Sequence, residues 1–160
     1  MRTNGLEHGN TTGYRANVHE IVSGVILREN NVEISAIPVH HGSWPQAFAY
    51  RIQTPDRTIV ISGDCNPSPA LIKACNGCDV LLHEVYSVAE LKLPRPTWPA
   101  YLHEFHTSTE ELSKIAAEAK PKLLVLYHQL MTGVTDAELV SEVKTSDQTK
   151  VVSAHDLDVF

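Results

Sequence analysis

The chain has 160 residues, of which 42% are hydrophobic and 20% charged, the make-up of one globular domain with enough apolar material for a core. No apolar run approaches the roughly 18 residues that a membrane-spanning helix needs, and the residues after Met1 carry no hydrophobic signal core. A net charge of −6 argues against a surface built for nucleic-acid phosphates or anionic lipid, and three cysteines, an odd number, exclude a full disulfide framework.

Residues 2–16, with Gly5, Gly9 and Gly13, are polar and aperiodic and predict a loop. Residues 17–28 and 32–40 are β-rich and predict a hairpin around Glu29, Asn30 and Asn31. Residues 47–53 and 57–62 predict a second pair around Thr54, Pro55 and Asp56. A short helix over 69–76 stops at Gly77, and a buried strand follows over 79–85. Pro94, Pro96 and Pro99 predict an irregular loop over 93–100. The clearest helix covers 108–120. It opens on a capping box, Ser108 with Glu111, and puts Leu112, Ile115, Ala116 and Ala119 on one face. Residues 122–127 read as a fully buried strand, and a helix opening at Thr135 and a strand over 150–154 complete the pattern. An antiparallel first third followed by alternating β and α predicts an α/β fold, a mixed sheet with helices on one face.

The unusual count is nine histidines, the commonest metal ligands and proton carriers near neutral pH. Asp64, His83, His128 and His155 fall at or near the C-terminal ends of predicted strands, the rim where α/β sheets bind ligands. Asp64 follows a buried run on a Gly turn, where it can hold a metal rigidly or cap the next helix. His40 and His41 are adjacent on a strand and point to opposite faces, so at most one faces a site. His128 ends an otherwise apolar strand and needs a partner for its ring. Neither His83-Glu84 nor the run from His103 to His106 has the His-Glu-x-x-His spacing, and neither is predicted helical, which rejects a helix-borne zinc site. Taken alone, these two segments read as surface polar residues. Cys75 and Cys78 have no second cysteine pair to complete a zinc knuckle, and read as two thiols.

In this order and at these separations, the run from Ile37 to Gly42 with Ala47 to Arg51 after it, Ser62 to Cys65, Leu82-His83-Glu84, His106 to Thr109 and Leu126-Tyr127-His128 resemble the C-terminal half of the metallo-β-lactamase fold, in its ribonuclease-Z-like branch. The resemblance implies part of an αββα sandwich around a dinuclear zinc site. It makes His41 a ligand of the first metal, Asp64 the carboxylate bridging both, and His128 a ligand of the second. Glu84 and His106 match the branch's accessory acid–base pair, with His106 placed to protonate the leaving group. The implied chemistry is hydrolysis of an ester-like bond, in a phosphodiester or a related small-molecule ester, by a zinc-bridged hydroxide.

Cys65 stands where the family usually has Thr, Ala49 where it has Gly, and His-Thr-Ser where it has His-Ser-Thr. The family's first metal motif, His-x-His-x-Asp-His, lies upstream in the family and occurs nowhere here. The expectation is therefore a single partial domain over 1–160, a fragment inactive alone, with partial or no zinc occupancy. The face left by the missing half would invite homo-oligomerisation. The alternative is a non-catalytic dimeric or partner-binding scaffold. No membrane partner is expected, a nucleic-acid substrate is left open, and a cytoplasmic location is favoured only by default.

Overall fold

Two adjacent residues with positive φ, Asn30 and Asn31 (50° and 61°), make the tight turn that opens the sheet. In the computed structural model, which describes residues 17–146 and 148–160, this turn joins β1 (Gly24–Glu29) to β2 (Val32–Val39). The predicted loop over 2–16 lies outside the described residues. The first strand is shorter than the pattern suggests, because residues 17–22 stay outside regular structure. β3 (Ala47–Gln53) and β4 (Thr58–Ile61) continue the antiparallel meander.

The connections then change character. α1 (Pro69–Cys75) leads to β5 (Val80–Tyr86), α2 (Trp98–Phe105) and α3 (Thr109–Ala119) lead to β6 (Leu123–Leu130), and α4 (Asp136–Glu142) leads to β7 (Lys150–Ser153). These strands pair in parallel, giving one seven-stranded mixed sheet in sequence order, β1 to β7. The expected α/β class is the observed one.

Register sorts the side chains into two layers. Val60, Leu81, Leu124 and Val151 lie in one row across β4 to β7. The first three are fully buried beneath Leu71 of α1, Leu112, Ile115 and Ala116 of α3, and Leu139 of α4. The neighbouring row, Tyr50, Ile61, Leu82, Val125 and Val152, points to the opposite face. Along it Tyr50, Ile61, Leu82 and Val152 are only half-buried. α3 starts as its sequence dictates. The Ser108 side chain accepts from the Glu111 N–H, and the Glu111 carboxylate accepts from the Ser108 N–H.

Three expectations are corrected. The proline-rich stretch is not all loop, for α2 begins at Trp98 with Pro99 in its first turn, where the missing N–H costs nothing. His103, Glu104 and Phe105 therefore lie on a helix, although still without zinc-protease spacing. Cys75 and Cys78 are not thiols but a disulfide. The left-handed Asn76 and Gly77 (φ 36° and 83°) fold the chain back after α1 and bring the two Cα atoms to 4.7 Å. His83 and Glu84 are not surface polar residues, because both are completely buried. His83 sits inside β5, opposite Leu126 in the helix-covered layer, rather than at the strand's end.

Candidate metal and proton-transfer site

Loops at the C-terminal ends of the strands build the site, and their backbones are stitched together. The Gly42 N–H donates to the Glu104 carbonyl (3.1 Å) and the Asn66 N–H to the His40 carbonyl (2.9 Å). Asn66 Nδ2 reaches the His103 carbonyl at 2.8 Å. Two glycines are obligatory here. At Gly42 (φ 53°) a Cβ would overlap the Phe105 ring, and at Gly63 (φ 62°) it would lie 2.9 Å from the Phe48 carbonyl oxygen. Each glycine precedes or follows a predicted ligand, His41 and Asp64, and fixes where that side chain begins.

His41 and His40 separate as strand geometry requires. His40 is exposed, whereas His41 turns inward and its Nδ1–H donates to the Phe105 carbonyl at 2.8 Å. That bond turns the Nε2 lone pair outward, and among the described residues nothing hydrogen-bonds it, as in an imidazole that binds metal. His128 is delivered differently. It takes φ 46°, and the β5–β6 register slips beside it, so it is the extra residue of a bulge. A positive φ at a non-glycine residue is costly, and such bulges re-aim side chains next to functional sites. Here the bulge brings His128 Nε2 to 3.6 Å from Asp64 Oδ2.

Asp64, His128 and His106 each offer a ligand atom within 4.8 Å of the others. His41 stands beside them, its ring centroid 5.4 Å from that of His106. Two imidazoles and a carboxylate, with a third imidazole adjacent, are the donor chemistry of a zinc-type site. The residues present fit a metal.

His106 also belongs to the predicted acid–base pair, with Glu84 buried behind it. Glu84 Oε1 accepts from the Thr107 N–H (2.9 Å) and the Cys65 N–H (3.3 Å). Its Oε2 lies 3.4 Å from His106 Nδ1, close enough for attraction but without hydrogen-bond alignment. Burial raises the Glu84 carboxyl above the ordinary range, opposed by His106 and the two amides. Burial also pushes up the neighbouring Cys65 thiol, with Glu84 and Asp64 adding to the effect. Cys65 is therefore a neutral, fully buried packing residue. His83 is likewise neutral, held down to about 4 by burial. Its Nδ1–H donates to the Glu84 carbonyl at 2.7 Å, which places it under the site rather than in it. His155 lies apart, against Asp136 and Asp158.

The structure thus brings five sequence-predicted residues together: His41, Asp64, Glu84, His106 and His128. Tyr101, whose hydroxyl is 3.3 Å from His106 Nε2, does not stand out in the sequence pattern, because it follows three closely spaced prolines. Its spacing from Trp98 and Phe105, three and four residues, is the signal that a helical reading would have used.

The family model for the beta-lactamase superfamily domain matches residues 3–129. The chain belongs to that superfamily. Among curated relatives, the ribonuclease Z of Mycobacterium sp. (strain KMS) is 27% identical over 113 residues, covering 71% of this chain and 40% of the relative. The ribonuclease Z of Myxococcus xanthus is 35% identical over 104 residues, covering 64% of this chain and 32% of the relative. The chain therefore spans less than half the length of these two relatives. Among solved structures, the metallo-beta-lactamase fold protein YhfI from Bacillus subtilis superposes with a TM-score of 0.62 at 22% identity. That match covers 80% of this chain and 48% of YhfI, and shows a shared fold.

Proposed function

We propose that this chain carries the metal-holding and proton-donating part of a zinc-dependent hydrolase acting on ester-like bonds, with phosphodiesters the favoured class. The observation behind this reading is the approach of His128 Nε2 to Asp64 Oδ2 at 3.6 Å, with His106 within 4.8 Å of both and the His41 ring, outside that trio, 5.4 Å from that of His106. The two ribonuclease Z relatives support the phosphodiester class. His41, Asp64 and His128 would hold metal, and a bound metal supplies an acidified water and polarises the scissile bond.

The chain's own groups then handle the proton. His106 gives a proton to the leaving oxygen as its bond breaks, and Glu84, buried behind it, compensates the imidazolium charge. Three donors suit one metal with an open position. A second metal needs donors beyond these residues, so we expect little hydrolysis from these 160 residues alone.

Zinc titration calorimetry of the purified chain tests the reading. The expected result is about one zinc per chain, with binding weakened at least tenfold by Asp64→Ala or His128→Ala. Undiminished binding in both variants would remove the assignment.

A second reading, a partner-binding or self-associating scaffold, is favoured by the half-buried row Tyr50, Ile61 and Leu82 on the face away from the helices. It predicts no zinc uptake together with a dimer in sedimentation analysis. A monomer that binds zinc excludes it.

A further inference from the structure

The His106 ring has an unequal pair of neighbours. Its inner nitrogen faces Glu84 without hydrogen-bond alignment, so among the described residues Tyr101 is the one side chain that hydrogen-bonds the imidazole. Tyr101 is held for this contact from both sides. Its ring stacks on Trp98 (centroids 5.2 Å apart, planes 19° apart) and on Phe105 (4.9 Å, 24°).

Both flanks are themselves anchored. The Trp98 indole N–H donates to the buried carboxylate of Glu90 at 2.8 Å, and the Arg95 guanidinium lies over the indole, 5.1 Å from its centroid. Glu90 also accepts from the Thr132 N–H, which ties α2 to the loop after β6. At the other end the Phe105 ring fills the space above Gly42, and its carbonyl accepts from His41. The Tyr101 ring is thus flanked on two sides, although the residue is 40% exposed and lies at the surface of the site.

We propose that Tyr101 is a positioning residue of the site, its hydroxyl fixing the orientation of the His106 imidazole through Nε2. The hydroxyl accepts when Nε2 carries the proton and donates when it does not, so the contact holds the ring in either state. The role is specific to Tyr, because Phe would keep the stack and lose the hydroxyl. This inference rests on the reading of His106 as the proton-donating group.

The test is the ring-nitrogen spectrum of His106 in isotope-labelled 160-residue protein, for wild type, Tyr101→Phe and Trp98→Ala. Tyr101→Phe is expected to shift the Nε2 signal, while amide signals away from α2 and His106 stay in place. Trp98→Ala, which keeps the hydroxyl but removes half of its support, is expected to give a smaller shift in the same direction. Unchanged His106 nitrogen signals in folded Tyr101→Phe overturn the proposal, as does a full-sized effect in Trp98→Ala with none in Tyr101→Phe. Zinc calorimetry on the same samples keeps the two readings apart. Loss of the metal assignment with an intact Tyr101 effect removes the proposed function and leaves the positioning role. The converse result removes only Tyr101.

Discussion

The two faces of the sheet are made of similar residues and treated differently. Leu81 and Leu124 are sealed under helices with no exposure, whereas Leu82, one residue along the strand, is left half-buried on the other side. Both sides are rich in Val, Ile and Leu, as parallel strands buried on two faces are. The difference lies in the cover. α1, α3 and α4 pack only against the first layer, so the stability of this chain is concentrated there. The second layer has the composition of an interior surface, and the described residues leave it half-covered.

That contrast can be broken by mutation. The largest effect is expected from Leu124→Ala, which empties a fully buried position and should cost about 3–4 kcal/mol in chemical denaturation. Leu82→Ala in the same sheet should cost only about 1 kcal/mol, since a half-exposed side chain loses less on truncation. Equal losses would show that the open face carries as much of the fold as the covered one.

Titration sharpens the comparison next, because the covered layer contains a histidine. His83 is neutral in the fold, with its pKa lowered from 6.5 to about 4. Between those values the unfolded chain binds more protons than the native one, so stability falls as pH drops from 6.5 towards 4 and is fully retained above. The shift corresponds to about 3 kcal/mol across that window. Glu84, whose carboxyl is raised by burial, works in the opposite direction and blunts the total. The measurement is therefore the difference between wild type and His83→Gln in denaturation midpoints over pH, expected to shrink on acidification. A pH-independent difference would mean that His83 titrates alike in the folded and unfolded chain. Smallest is Ser108→Ala, which removes one half of the α3 capping box and should cost about 1 kcal/mol.

The sequence pattern located this architecture well where periodicity and caps act locally. β2 to β6, α3 and its Ser108 cap follow from residue order alone. The five residues that the likeness to a known family singles out lie near one another in the fold. What escaped depends on contacts between segments distant in the chain or on a competition between local signals. Three prolines outweighed the helical spacing of Trp98, Tyr101 and Phe105, although a proline in a first turn is harmless. The Cys75–Cys78 bond depends on two left-handed residues that composition alone did not weigh. His83 was read as a rim or surface residue because alternation says which face a side chain takes, but not how thickly that face is covered.

Phe105 joins three of the contacts described above: its ring sits over Gly42, its carbonyl receives His41, and its other face supports Tyr101. The last turn of α2 is thus a common mould for groups that arrive from separate parts of the chain. A short helix at the periphery of a sheet can open while the core stays folded. Fraying of α2 would release His41 and His106 while His128 stays on its strand, leaving a chain that looks native by its overall spectrum with half of the cluster undone.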